Sequence, residues 1–212
     1  YMSLEKDSLE DSRWLQQIST GDQKAFESLF KKYYSMMCRY AYYLIKDKSE
    51  SEELVQNVFC RIWEIRFTLH QVEKFRSYAL ASVYRAAMNH IRHQKVRMKH
   101  QEYVTFQIQV TEPVDLMSID MLSRQIQSAL DKLPPQCKAI FMMSRNESMT
   151  YKDIAACLNI SIKTVENQMG KALKILRLEL AEYLSILLGG ISIELALNCL
   201  WNICEWMNGK II

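Results

Sequence analysis

Apolar side chains return at helical spacing along most of this chain. Between residues 12 and 46, Trp14, Leu15 and Ile18, and then Ala25, Phe26, Leu29, Phe30 and Tyr33, fall three or four positions apart, with Gly21-Asp22 between them as a stop and a cap. The pattern predicts two helices. A further start is expected at Ser49 or Ser51, with Glu52 and Glu53 in the first turn, ahead of the stripe Leu54, Val55, Val58, Phe59, Ile62 and Trp63. The opposite face of that helix carries Glu53, Gln56, Asn57, Cys60 and Glu64. An irregular stretch follows near Thr68 to Lys74. The next helix, from Arg76 to about Val96, sets Leu80, Tyr84, Ala87 and Ile91 on one side and Tyr78, Ser82, Arg85, Asn89 and Arg92 on the other.

Beyond residue 100 the helical period lapses until Leu122, Ile126, Leu130 and Leu133, a helix that must stop before Pro134-Pro135 and is followed by another through Ile140 and Met143. Charge changes sign at the same place. From Arg85 to Lys99 there are five Lys/Arg and no acid, and from His100 to Met121 four acids and no Lys or Arg. We read a first helical domain over 1–96, a linker over 97–119, a second domain over 120–182 and an apolar tail over 183–212.

Composition narrows the class. With 212 residues, 5 Gly and 3 Pro, there is little material for the turns of a many-stranded β fold or for a phosphate-cradling glycine loop, so the expected fold is all-α, two helical domains joined by a linker. A net charge of +3 does not by itself announce a nucleic acid. The six cysteines form no C-x-x-C pair, and His90, His93 and His100 sit among Lys and Arg, so neither a metal nor another cofactor is expected. The chain opens without a signal sequence, and reduced cysteines in a cytoplasmic protein are the expected reading. An enzyme would need a nucleophile with its base or a metal cluster, and the sequence offers no catalytic set.

Residues 151–170, YKDIAACLNISIKTVENQMG, fit a helix-turn-helix. Ala155 is small where two helices cross, and Ile154, Leu158, Ile160 and Val165 fill the space between them. Asn159 stands where the turn needs a left-handed residue, and Ser161 caps the second helix. That helix then presents Lys163, Thr164, Glu166, Asn167 and Lys171, donors and acceptors suited to phosphates and major-groove base edges. The competing reading is an αα-hairpin with a solvated polar face. The basic run Arg85, Arg92, Lys95 adjoins Phe67, Phe75 and Tyr78, on which unstacked bases could lie, so this half suits separated DNA strands; a plain solvated face is the alternative.

Together these segments resemble the extracytoplasmic-function (ECF) group of sigma-70-type sigma factors, from GDQKAFESLFKKYY through SESEELVQNVFCRIW and FRSYALASVYRAAMNHIRHQK to LPPQCKAIF and the helix-turn-helix. The Thr164-Val165-Glu166-Asn167 and Lys171-Ala172-Leu173 pattern is most similar to the Bacteroidetes-type members. The resemblance implies two helical domains, the first binding core RNA polymerase and the -10 promoter element, the second the -35 element, with an anti-sigma factor as a further partner. Glu53, Leu54, Gln56, Phe59 and Trp63 match the polymerase-binding motif. Tyr78, Asn89 and Arg92 match the helix facing the -10 region, where the basic and aromatic reading adds Phe75, Arg85 and Lys95. Lys163, Thr164, Glu166, Asn167 and Lys171 match the -35 reading helix. Two positions depart from the pattern: Asn57 stands where the family usually has an acid, and Arg85 where it often has Asn. The runner-up is a free-standing regulator ending in a similar helix-turn-helix, but residues 1–94 show neither a receiver's alternating strands nor a ligand-pocket pattern.

The tail lies outside the resemblance. Gly189-Gly190, Glu194, Asn198 and Asn202 interrupt it, and a central acid costs about 2.5 to 3.5 kcal/mol in a bilayer, so no membrane span is expected. Leu195, Leu197, Leu200, Trp201 and Trp206 suit either a helix folded back on a domain or a surface covered by another protein.

Overall fold

The computed structural model describes the backbone of residues 2–101 and 119–187 and the side chains of 9–97 and 125–181. The described residues are helical, with no strand among them. Helices α1 (Met2–Ser19), α2 (Gln23–Ile45), α3 (Lys48–Glu64) and α4 (Phe75–Gln101), with a 3-10 turn at Arg66–Gln71, belong to a first compact unit. Helices α5 (Ile119–Asp131), α6 (Pro135–Arg145) and α8 (Ile162–Leu187), with most of α7 (Tyr151–Leu158), belong to a second.

In the first unit, local chemistry sets each boundary. Gly21, at φ +94°, ends the first helix, and the Asp22 carboxylate accepts from Lys24 N at 2.8 Å and Ala25 N at 3.2 Å, satisfying two orphan donors of α2. α2 ends on Lys46 in the left-handed region (φ +66°), whose N–H returns to Tyr42 O. That places Asp47 where α3 must start. Its carboxylate accepts from Glu50 N at 2.8 Å, so the cap is Asp47 and not Ser49 or Ser51; the Ser51 hydroxyl is buried and donates back to the Asp47 carbonyl. The stretch expected to be irregular is mostly the 3-10 turn, and α4 begins one residue earlier and runs five residues further than its periodicity indicates.

α2 packs on α3 and α4, while α1 packs on α2 and on the 3-10 turn. Leu15, Ile18, Leu29, Met37, Tyr40, Val55, Ile62, Leu69, Phe75 and Leu80 form the fully buried centre. One polar group is buried at its edge. The Asp11 carboxylate accepts from the Tyr33 hydroxyl and from Lys32 Nζ (2.8 Å), and the Lys32 ammonium lies 5.3 Å above the Trp14 ring. Its charge is thus met by donors, which is what allows a carboxylate to sit there.

In the second unit, α5 ends at Asp131, and Pro135 opens α6 where its missing N–H costs nothing. α5 and α6 pack on α8, burying Leu130, Leu133, Ile140, Met143, Val165, Met169 and Ala172. Ile126, expected on the apolar stripe of α5, is 40% exposed. Buried Lys138 is matched by Asp131 at 2.7 Å, and Lys132 pairs with Glu179. The helix-turn-helix closes at its turn, with Val165 buried but Leu158 and Ile160, expected in the same core, only half-buried. Ile154 and Ala155 are buried, Asn159 has φ +56°, and Thr164 N donates to Ser161 Oγ at 3.0 Å. The expected linker beyond Gln101 and the tail beyond Leu187 lie outside the described residues.

Candidate functional site

Helix α3 is divided lengthwise. Leu54, Val55, Val58, Phe59 and Ile62 are buried against the rest of the unit, while Glu53, Gln56, Asn57, Cys60 and Glu64 are all exposed. Burying a side chain such as Leu, Val or Phe is worth about 1.5 to 3 kcal/mol, so this helix is firmly seated with a continuous polar face outward. Phe59 lies 4.7 Å from Phe30 and 6.1 Å from Phe26, and Trp63 lies 4.9 Å from Phe26. The structure therefore splits the five residues assigned to polymerase binding. Leu54 and Phe59 anchor the helix, Glu53 and Gln56 face outward, and Trp63 is half-buried at the aromatic seam. A residue absent from the sequence-based set is Tyr34, at the end of the Phe26, Phe30, Tyr34 series on α2. Desolvation raises its phenol above the ordinary tyrosine value, and its side-chain hydrogen bonds to Cys38 and Gln56 act in opposite directions. The fourfold spacing of aromatics on α2 was the available signal.

A groove of about 650 Å³ runs between α3 and α4, lined among others by Asn57, Arg61, Tyr78, Ser82, Asn89 and His90. It brings together Tyr78 and Asn89, both expected to face DNA, with Asn57 and Arg61 of α3, which were not. Arg85, Arg92 and Lys95 are exposed on α4 but do not line the groove. Phe75 corrects an expectation. It is completely buried, edge-on to Tyr33 with ring centroids 5.0 Å apart, so it supports the neighbouring Tyr78 (6.2 Å) and offers no stacking surface of its own. His90, read from its basic sequence neighbours, has an acid beside it in space: Glu50 Oε2 lies 3.0 Å from its Nε2 and also accepts from Gln94 at 3.1 Å. An aromatic ring beside amide and guanidinium donors in a half-open groove can hold an unpaired base by stacking and edge hydrogen bonds.

On α8, Lys163, Glu166, Asn167 and Lys171 are exposed along the face opposite Val165, Met169 and Ala172. Lys163 Nζ is paired with Glu166 Oε2 at 3.0 Å, which tempers its charge. Thr164 is half-buried, its hydroxyl 2.8 Å from Ser161 Oγ, and belongs to the cap as much as to the reading face. Among the described residues no group of three His, Cys, Asp or Glu is placed to hold a metal ion, and no helix is long and apolar enough to cross a membrane.

Fold and surfaces together define, over the described residues, an all-helical chain that pairs a helix-turn-helix unit with a second unit carrying an outward polar helix face and a half-open groove. Residues 29–97 match the family model for sigma-70 region 2, and residues 123–176 that for sigma-70 region 4. ECF RNA polymerase sigma factor SigE of Mycolicibacterium smegmatis is 25% identical over 173 residues, covering 79% of this chain and 67% of the relative. SigW of Bacillus subtilis is 23% identical over 183 residues, covering 79% and 95%. Among solved structures, the sigma factor RpoE in complex with the anti-sigma factor NepR from Bartonella quintana has a TM-score of 0.60 at 16% identity, over 74% of this chain and 97% of that one. CnrH in complex with the cytosolic domain of CnrY gives 0.57 at 19% identity, over 86% and 99%. The chain belongs to the ECF group of the sigma-70 family and is a promoter-recognition sigma factor of RNA polymerase.

Proposed function

We propose that this sigma factor attaches to core RNA polymerase through the outer face of α3, holds the -10 strand in the α3–α4 groove and reads the -35 element with α8. The observation that carries the assignment is the lengthwise division of α3: its apolar residues are used up in the core, leaving Glu53, Gln56, Asn57, Cys60 and Glu64 exposed along its outer side. Trp63, at the aromatic seam, borders this face, and Leu54 and Phe59 act by seating the helix. On α4, Tyr78 and Asn89 meet the displaced strand, and Arg85, Arg92 and Lys95 hold its phosphates. On α8, Asn167 and Glu166 read base edges, Lys163 and Lys171 bind phosphates or guanine, and Thr164 orients the helix start. The domain limits are 1–96 and 120–182, with 97–119 as the tether.

The protein acts in the cytoplasm, where polymerase is, and performs no bond chemistry. The Thr164–Asn167 and Lys171–Leu173 patterns support a Bacteroidetes-type member. An anti-sigma partner is inferred from the similar RpoE, whose structure holds one. The test is co-elution and titration with core RNA polymerase. Glu53→Lys with Gln56→Ala weakens core binding tenfold or more, about 1.4 kcal/mol, with unchanged helix content. A folded double variant that binds core as tightly as the parent removes the assignment.

A further inference from the structure

Gln56 stands on the exposed side of α3, yet its side chain is tied to the neighbouring helix. α2 and α3 are joined by the short Lys46-Asp47 turn and pack along each other, which sets Tyr34 of α2 beside the turn of α3 that carries Gln56 and Phe59. The Tyr34 ring is held from both helices: it stacks on Phe30 at 4.7 Å, 27° from parallel, and lies 6.4 Å from Phe59. A ring fixed in this way carries its hydroxyl to a fixed point. There it meets Gln56 on one side and Cys38, one turn further along α2, on the other.

The direction of each hydrogen bond follows from its effect on the phenol. Desolvation above all, and then the Cys38 bond, raise Tyr34 above the ordinary tyrosine value, while the Gln56 bond lowers it. A bond that opposes ionisation is one the hydroxyl proton donates; a bond that favours it is one the oxygen accepts and a phenolate would keep. Gln56 Nε2 therefore donates to Tyr34 Oη, which donates to Cys38 Sγ. A glutamine amide can sit either way round, and this series of donors decides it: nitrogen against α2, carbonyl oxygen outward. One turn away on the same exposed face is the Glu53 carboxylate.

We propose that Tyr34 is a positioning residue for polymerase attachment: its hydroxyl holds the Gln56 amide with the carbonyl oxygen outward, set to accept from a donor on the polymerase. The role rests on reading the outer face of α3 as the polymerase site; the Tyr34–Gln56 hydrogen bond does not. An exposed glutamine has many rotamers, and ordering it only at the interface weakens binding, by about fivefold or about 1 kcal/mol, where a preset side chain avoids that loss.

Tyr34→Phe tests the role, because the ring keeps its contacts with Phe30 and Phe59 and only the hydroxyl is lost. Two readouts on the full chain separate the bond from its use. In the free chain, the Gln56 side-chain amide resonance, assigned by its disappearance in Gln56→Ala, is expected to move in Tyr34→Phe to the position of freely rotating glutamine amides. A resonance that stays in place overturns the bond and the proposal with it. In titrations with core RNA polymerase, Tyr34→Phe is expected to weaken binding about fivefold and to add nothing once Gln56 is alanine. A loss in Gln56→Ala that Tyr34→Phe does not share overturns the positioning and leaves the polymerase site where it is. Equal losses from Tyr34→Phe in both backgrounds show the hydroxyl acting independently of Gln56, which also overturns it. If Gln56→Ala and its combination with Glu53→Lys both bind core as tightly as the parent while the resonance still moves, the bond exists but this face is not the polymerase site, and the positioning role falls with that reading.

Discussion

Replacing Phe75 with alanine separates two roles that its sequence position leaves entangled. The ring is completely buried, edge-on to Tyr33, whose hydroxyl in turn donates to buried Asp11. Truncating a core phenylalanine costs about 3 to 5 kcal/mol, of which the edge-to-face pair supplies about 0.5 to 1.5. Against a total stability of about 5 to 15 kcal/mol for a domain, a loss near 4 reduces the folded-to-unfolded ratio about a thousandfold. Phe75→Ala should therefore act first on the fold. The measurement is hydrogen exchange of the α4 amides between Ala79 and Ala87 as urea is raised, which reports this unit alone and avoids treating a two-unit chain as two-state. Permanganate reactivity at the -10 element, measured with polymerase, should fall only in proportion to the unfolded fraction. Tyr78→Ala, in the half-open groove, should do the reverse: little loss of protection and a marked loss of melting. If Phe75→Ala leaves α4 protection within about 0.5 kcal/mol and still abolishes melting, Phe75 touches DNA and the core assignment is wrong.

Three further outcomes follow from local geometry. Asn159 sits at φ +56°, where a β-branched side chain is strained; Asn159→Gly should hold the thermal midpoint of the second unit, whereas Asn159→Val should lower its stability by about 1 to 2 kcal/mol. Tyr33→Phe leaves the Asp11 carboxylate with Lys32 but without its phenol donor, which should cost about 1 to 3 kcal/mol in urea unfolding of the first unit, and an unchanged midpoint would show that the hydroxyl contributes nothing. Cys60 is exposed on the proposed polymerase face while Cys137 is buried, its thiol raised by desolvation, so less of it is thiolate at neutral pH and its alkylation should gather speed only above the usual thiol range; iodoacetamide should label Cys60 before Cys137, and core polymerase should slow the labelling of Cys60.

Local rules carried the sequence reading furthest where one residue decides a backbone conformation. Gly21-Asp22, Asn159 and Ser161 each announce a turn or a cap, and each is found doing so. The failures share a cause: they depend on direction in space and not on spacing. Phe75 and Tyr78 are three residues apart in one aromatic-basic segment, yet a helix turns about 300° over that interval, and Phe75 continues inward with Ala79 and Val83 while Tyr78 opens on the groove. His90 stands in a basic run, but its nearest charge comes from Glu50, forty positions earlier on α3. The start of α3 moved to Asp47 because Lys46 takes a left-handed conformation that no glycine advertised. The same reasoning explains the α3 motif: matching Leu54 and Phe59 to a binding pattern identifies the helix, but only burial separates those that hold it from Glu53 and Gln56, which are exposed. On the proposed reading, a polymerase contact is thus specified by two residue sets with opposite demands. Apolar substitutions at Glu53 or Gln56 would leave the fold intact and alter recognition, whereas polar ones at Leu54 or Phe59 would unseat the whole face.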